Sequence, residues 1–409
     1  MNILIADDDA LVRLALNRVV QRVGATHVTG VSNGLDAIDR LENGRYDLLV
    51  LDLVMPGMDG FEVLQMVRAS PDYRDLPVVV VSSVRDERGI AEVSDGLPVG
   101  RISAQIDDRL DEYRGGNDGQ FGFFETIDDA EVANALLDAG CEWLAGKGRE
   151  KVYGPMDFTT NDELGIQIEG FDIRPVILEN CHQPYVKDLV EGNGFTKAMD
   201  LLMWHLEMGK LAKGLEFHPA IMEAAQKSLD EHGITIRNMR KSDMHAEVMR
   251  FHSVYNEAWG DNWGFVPITE DEAGYHAKLL KQIIGEDWAM IAETEDGTVV
   301  GAALTLPDIN QVLAKLDGRL LPTGWLKFLR GKSKVDVVRI LALGVTKAYQ
   351  HTGVAAALYV RHIQTCRPDG VMTGEAGWIL ETNEPMNRAL EGMGGVVNKR
   401  FRVYEKNLR

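Results

Sequence analysis

A repeat spaced by about half the chain constrains this 409-residue sequence more than any single motif. Residues 90–103, IAEVSDGLPVGRIS, and 291–304, IAETEDGTVVGAAL, lie 201 positions apart and share seven of fourteen residues in register. Each copy reads as a strand, a tight Asp-Gly turn and a second strand. A second echo sets EGNGF at 191–195 against EGMGG at 391–395, an offset of 200. Each follows a helical stretch and leads into a strand, KAMDLLMWHLEM in one copy and KRFRVYEKNL in the other. Recurrence at one fixed offset means two copies of one structural unit. Whatever precedes the first copy is then a separate body, and the length allows two or three domains.

The preceding 87 residues alternate strand and helix patterns. The apolar run of MNILIADDD ends in acids, the helical LVRLALNRVVQRVG follows, and YDLLVLD ends at Asp52 before the turn-rich MPGMDG. A helix, FEVLQMVRAS, then leads to LPVVVVSS. Strands alternating with helices predict a parallel, doubly wound sheet, whose ligands sit at the carboxyl ends of the strands. Asp7, Asp8 and Asp52 all fall at such ends. Crowded carboxylates repel unless a cation joins them, and a hard ion such as Mg²⁺ suits oxygen donors. A carboxylate beside Mg²⁺ is also a nucleophile toward a phosphoryl group.

This segment resembles the receiver domain of two-component response regulators. The resemblance implies Asp7, Asp8 and Asp52 as metal ligands, Asp52 as phosphoacceptor, Ser82 as the switch hydroxyl, and a sensor histidine kinase or phosphotransfer protein as partner. Receivers also carry a Lys-Pro pair after a fifth strand; here no Lys precedes Lys147 and no Lys-Pro occurs anywhere. Arg101 lies at a roughly suitable distance past Ser82 to stand in, although its planar fork is no simple replacement for Lys. If 90–103 is a hairpin of the second body, the receiver stops near Val84 to Glu87, without its last strand and helix. The expected domains are therefore 1–87, 88–208 and 209–409.

In the second body, VDVVRILALGVTKAYQ reads as a central strand running directly into the helix HTGVAAALYVRHIQTC. The turn between them, Gln350-His351-Thr352-Gly353-Val354-Ala355, has a glycine that permits close backbone approach. The helix start adds free N–H groups and a positive dipole end suited to a diphosphate. This Q-x-x-G-x-A turn, with GVMTGEAGWIL as the next strand and Asn383 opening the next helix, resembles the pyrophosphate loop of the GNAT acetyltransferases. The region from about Gly89 to Arg409 resembles a two-lobed GNAT protein, including FGFFE, GPMDFTTNDELG, NWGFVP and ILETNEPMNRALE.

The resemblance implies acetyl transfer from acetyl-CoA to an unknown amine. Leu343 and Val345 would face the pantetheine, amides from Thr352 to Ala355 the diphosphate, and Gln350, His351 and Asn383 complete the cofactor site. The family's usual helix Tyr is replaced by Glu391, so the acid is sought at Tyr404 and the base at Glu375 or Glu381. Trp259, Trp263 and Phe265 either line an acceptor pocket or pack the core. The first lobe has Asp128 and Asp129 where a diphosphate would sit, so it is expected to be non-catalytic, structural or acceptor-shaping.

The expected fold class is α/β, a truncated flavodoxin-like receiver followed by two tandem GNAT-like α+β lobes. At −20 the chain repels nucleic acid and anionic membranes, so neither is an expected partner. No apolar run reaches the ~18 residues of a membrane span, the N-terminus turns acidic too soon for a signal peptide, and Cys141, Cys181 and Cys366 match no metal spacing. A reducing cytoplasm is the expected location. Two functions follow: an acetyltransferase with a receiver-derived segment, or a phosphorelay regulator whose GNAT-like lobes bind without turnover.

Overall fold

This computed structural model describes every residue except 9–12, 14–15, 18–19, 21–24, 53–54, 56, 74–75, 77, 81–98, 210–218, 276–285, 317–323, 333, 366–372 and 409. The chain divides into two compact units, Met1–Val99 and Gly100–Arg409.

In the first unit, β1 (Asn2–Ala6), β2 (His27–Val31), β3 (Leu48–Leu51) and β4 (Val78–Val80) form a parallel sheet in the order β2-β1-β3-β4. Parallel strands are covered on both faces and read as continuous apolar runs. Ile3, Leu4, Ile5 and Ala6 are accordingly all buried. Helix α1 (Gly34–Asn43) starts at Asn33, whose side chain accepts from the Asp36 amide. Helix α2 (Gly60–Ala69) starts at a capping box in which Asp59 and Glu62 exchange hydrogen bonds. Ala37, Leu41, Val63 and Val67 pack against the sheet. This is the expected doubly wound receiver architecture. The expected seam at 84–87 and the first arm of the first repeat hairpin lie outside the described residues.

The second unit is built on one 11-stranded sheet. Its first lobe contributes β5 (Gly100–Gln105), β6 (Asp118–Thr126), β7 (Lys151–Gly154), β8 (Ile166–Glu169) and β9 (Thr196–Leu206). Its helices are α3 (Asp108–Arg114), α4 (Ala130–Gly146) and α5 (Tyr185–Gly192). The second lobe begins with α6 (Pro219–His232), β10 (Thr235–Asn238) and α7 (Met244–Trp259). Then come β11 (Ala289–Glu293), β12 (Val299–Pro307), α8 (Asn310–Leu313) and α9 (Gly324–Lys332). It closes with β13 (Val337–Val345), α10 (Val354–Thr365), β14 (Thr373–Leu380), α11 (Glu384–Gly392) and β15 (Val396–Asn407).

The sequence repeat is a repeat of topology. β5 pairs antiparallel with β6, which pairs parallel with β7; β12 pairs antiparallel with β13, which pairs parallel with β14. Helices α4 and α10 make the two parallel crossovers, and α5 and α11 lead into β9 and β15. The hairpin of the second copy is present: the Thr294 amide donates to the Thr298 carbonyl and Gly297 adopts φ +84°.

Each lobe lends its last strand to the other. β9 lies between β14 and β15, and β15 lies between β9 and β7. The two lent strands pair antiparallel from Val396↔His205 to Glu405↔Thr196, and Phe401 and Val403 of β15 are fully buried. A buried ion pair, Lys399 to Glu179 at 2.8 Å, adds a second tie between the lobes. Neither lobe therefore has a complete sheet alone. No helix among the described residues is long and apolar enough to cross a membrane.

Candidate active site

In the first unit, the neighbouring parallel strands β1 and β3 end side by side. The Asp52 amide donates to the Ala6 carbonyl at 2.7 Å, which fixes the two ends together. Carboxylate oxygens of Asp7, Asp8 and Asp52 lie within 4.8 Å of one another, one buried, one exposed and one half-buried. Such an all-oxygen set fits a hard divalent cation, which would offset the mutual repulsion. Ser82 lies outside the described residues. Arg101, considered as a stand-in for the absent Lys, is instead part of the second unit: it sits on β5 and pairs with Glu125 at 2.9 Å.

In the second unit, β13 and β14 start paired and end apart. Their register runs from Val337↔Thr373 to Ile340↔Ala376 and stops there. Beyond that point β14 is irregular between Ala376 and Ile379 and continues along β9, while β13 runs on to Val345. A cavity of about 850 Å³ fills the gap, with walls that are mainly apolar. Leu343 and Val345 line it from β13, Ala355 and Tyr359 from α10, and Tyr255 and Trp259 from α7. Trp263 and Phe265 also line it, so the aromatic segment both packs the core and faces the cavity. The first lobe closes one side with Phe123, Asp157 and Phe158.

The Gln350–Ala355 turn sits at the end of β13. Thr352 donates its hydroxyl to the Tyr349 carbonyl at 2.6 Å, so that hydroxyl closes the turn. The first bond of α10 runs from the Ala357 amide to the Gly353 carbonyl at 2.9 Å. The preceding helix amides have no intrahelical acceptor, and the dipole makes this end positive. Among the described residues no side chain accepts from the amides of Gly353, Val354 or Ala355.

Gly353 adopts φ +88°, and a Cβ there would lie 2.0 Å from the Ala224 carbonyl oxygen of α6. On the side where a Cβ would stand, the close approach that this glycine permits is therefore made by the protein's own helix. Gln350, Ala355 and Asn383 line the cavity; His351 is exposed and Val354 buried. Asn383 also caps α11, accepting from the Met386 amide.

The structure does not bring the expected acid and bases to this cavity. Tyr404 is fully buried in the first lobe's core, its hydroxyl 3.1 Å from Glu191, and burial pushes the phenol up. Glu375 is 2.7 Å from His205 Nδ1 and accepts two bonds from Asn398. Glu381 accepts from Lys197 at 2.7 Å and from the Asp200 amide at 3.1 Å. These are hydrogen-bonding and ion-pair anchors of the sheet.

Sequence reasoning missed three cavity residues. Asp157 accepts from the Phe123 amide at 2.6 Å, yet burial outweighs that bond and pushes the carboxyl up to about 6. Its neighbours are strained: Phe123 adopts φ +49° and Phe158 φ +73°, with ring centroids 5.0 Å apart. Left-handed backbone at non-glycine residues costs on the order of 1–3 kcal/mol and gathers at functional sites. Asp157 lies in GPMDFTT, a segment legible as unusual, but only the fold places it across from β13.

Arg339 is the second. It is fully buried over the Trp378 ring at 4.8 Å, donates to the Ile177 carbonyl at 2.7 Å, and leaves Nε with no hydrogen-bond partner among the described residues. Burial lowers it to about 10, so it stays charged at neutral pH. His362 is the third. Its Nδ1 lies 3.0 Å from the Leu358 carbonyl, which requires the proton there, so Nε2 accepts from the Thr305 hydroxyl at 2.8 Å. Burial lowers it to about 4 and keeps it neutral.

Comparison with known proteins adds four findings. The family model of the response regulator receiver domain matches residues 3–98. The bacterial ceramide synthase of Caulobacter vibrioides is 36% identical over 321 residues, covering 76% of this chain and 82% of that protein. Protein YghO of Escherichia coli is 36% identical over 319 residues, covering 76% of this chain and 80% of that protein. Alignments of that length fall mainly within the second unit. Among solved structures, a GCN5-related N-acetyltransferase from Sphaerobacter thermophilus aligns over 77% of this chain and 78% of its own, at 14% identity and a TM-score of 0.43.

Proposed function

We propose, from the premise that the chain belongs to the family of the bacterial ceramide synthase and YghO, that it is an acyl-CoA-dependent N-acyltransferase for long-chain lipid amines. One observation carries this reading: an apolar cavity of about 850 Å³ where the parallel strands separate, ending at a helix N-terminus whose first amides meet no side chain among the described residues. The volume is that of a site for a drug-sized molecule and far exceeds the needs of an acetyl group. The donor we favour is therefore a long-chain acyl-CoA, and the acceptor a long-chain amino alcohol, the amine half of a ceramide.

In this reading the amides from Gly353 to Ala355 hold the diphosphate, and Leu343 to Val345 guide the pantetheine along the unpaired edge of β13. The acceptor nitrogen attacks the thioester carbonyl and gives up a proton, the C–S bond breaks, and that proton passes on to the departing sulfur so that coenzyme A leaves as its thiol. Asp157 is the group we assign to take the amine proton. It faces the cavity, it is held by the Phe123 amide, and its raised value suits a base working near neutral pH. The first lobe then supplies the base side of the site and is more than a scaffold.

The test is thiol release across a series of acyl-CoAs with a long-chain 2-amino-1,3-diol as acceptor. Turnover that rises from acetyl to long acyl donors is expected. Turnover confined to acetyl-CoA with small water-soluble amines would refute the reading.

A second reading concerns the first unit and rests on the carboxylate trio. Asp7, Asp8 and Asp52 would hold Mg²⁺, and Asp52 would accept a phosphoryl group from a histidine kinase or phosphotransfer protein. Incubation with acetyl phosphate and Mg²⁺ should label Asp52. If wild type and Asp52→Asn acquire no different label, this unit serves only as scaffold.

A further inference from the structure

The segment between β12 and β13 has a character opposite to the rest of the chain. From Asn310 to Lys334 it contains Lys315, Arg319, Lys327, Arg330, Lys332 and Lys334 against one acid, Asp317, in a protein of formal charge −20. Its apolar residues are not all inside. Leu313 is 42% exposed, Trp325 47%, Leu326 37% and Leu329 60%. Helix α9 packs inward through its small residues: Gly324 is buried, and a Cβ on Gly331 would lie 2.6 Å from Val312 of α8. The outward face thus carries Trp325, Leu326 and Leu329 beside Lys327, Arg330 and Lys332.

Exposed Trp and Leu interleaved with cations is the composition of a helix that lies in a bilayer interface. Trp favours the headgroup level, and each Lys or Arg near an anionic surface adds about 1 kcal/mol, or roughly fivefold. The insertion is anchored at its base, where the Asp308 amide donates to the Val337 carbonyl at 2.9 Å and Asp308 pairs with Arg174 at 2.5 Å. It therefore sits at the start of β13, the strand that walls the cavity, and at the opposite end from the Gln350–Ala355 turn.

We propose that the outward face of α9 docks on an anionic lipid bilayer, from which the amphiphilic acceptor enters the cavity. The choice of occupant rests on charge complementarity and on the proposed lipid amine. Docking reverses the expectation, drawn from net charge alone, that no membrane surface is engaged. Exposed charges act over a Debye length of about 10 Å at ~0.1 M salt, so the local balance of six cations against Asp317 and Asp336, and not the charge of the whole chain, sets the field here.

The test is co-flotation of the full chain with phosphatidylcholine vesicles, with or without about a third phosphatidylglycerol. The chain should float with the anionic vesicles, less so at high salt, and Leu329→Glu or Lys327→Glu/Arg330→Glu should reduce binding at least tenfold at unchanged Tm. Wild-type protein that stays at the bottom at low salt overturns the proposal, as does a double variant that floats equally well. Binding to an acidic protein without flotation overturns it too. Thiol release in detergent micelles is read in parallel. A chain that floats without turnover refutes the acyltransferase reading alone, and one that turns over in micelles without floating refutes docking alone.

Discussion

At the start of α4 the amides of Glu131 and Val132 lie 2.8 and 3.2 Å from the Asp129 carboxylate. At the start of α10 the equivalent amides meet no side chain among the described residues. The neighbouring strands differ in the same sense. In the first lobe β6 and β7 pair only to Gln120↔Tyr153, but the Met156 amide then donates back to the Phe121 carbonyl at 2.8 Å and shuts the gap. In the second, the gap beyond Ile340↔Ala376 stays open as the cavity. One duplicated plan has thus become one open site and one plugged copy, and the plugged copy turns its loop, with Asp157, toward its partner's cavity. Little chemistry separates the two states: one carboxylate and one backbone hydrogen bond.

The strongest way to break the comparison is to plug the open lobe. Ala355→Asp places an acid in the first turn of α10, where it favours the helix through its dipole but opposes a diphosphate. Like-charge contact costs several kcal/mol, so acyl-CoA affinity should fall about a hundredfold or more. The thermal shift given by acyl-CoA should vanish while the unliganded Tm stays the same or rises. Retained affinity would remove the diphosphate from this turn. Gly353 is unsuitable for the experiment, because any side chain there collides with α6 whether or not a ligand binds.

The next effect tests what the first lobe gives to the second. Asp157→Asn should lower kcat/KM by about a hundredfold or more. Wild-type activity should rise with pH through about 6, as the carboxylate forms, and that limb should be absent in the variant. Stability moves the other way. The folded-state value lies above the ordinary one, so the contribution of this group is complete below about pH 4 and is lost as pH rises through about 6. At neutral pH the uncharged Asn escapes that cost, and Tm should rise by a few degrees while turnover falls. A variant that keeps the pH limb would move the base to another cavity residue.

The plan of the molecule was legible because periodic patterns survive duplication. IAETEDGTVVGAAL and EGMGG mark the hairpin and the helix end that the fold repeats, and the acids closing MNILIADDD and YDLLVLD meet at one sheet end. The turn at 350–355 was legible because strand, glycine and helix are adjacent in sequence. The base was not. Asp157 reaches the cavity only through the exchange of β9 and β15, and sequence spacing cannot reveal which lobe's loop faces which groove. Tyr404 and Glu381 looked catalytic as polar residues near motif ends. Their partners, Glu191 and Lys197, are far away in sequence, so their structural duty was hidden. Arg339 reads as an interruption in an apolar strand, and only the Trp378 ring and the Ile177 carbonyl explain how its charge is tolerated there.

The smallest effect comes from unplugging the closed lobe. Asp129→Ala removes the α4 cap, which costs about 1 kcal/mol. In a unit of this size that amounts to a fall in Tm of roughly 2–4 °C. It should not create a second coenzyme site, because the space that pantetheine would need is already filled. A Cβ on Gly122 would lie 2.2 Å from the Met156 carbonyl, and one on Gly154 would lie 2.3 Å from that of Phe121, so the strands there are in backbone contact. Titration calorimetry should therefore still count one acyl-CoA per chain. A second equivalent in Asp129→Ala would mean that the carboxylate alone keeps the lobes apart, and that the Met156–Phe121 closure yields whenever a diphosphate can bind.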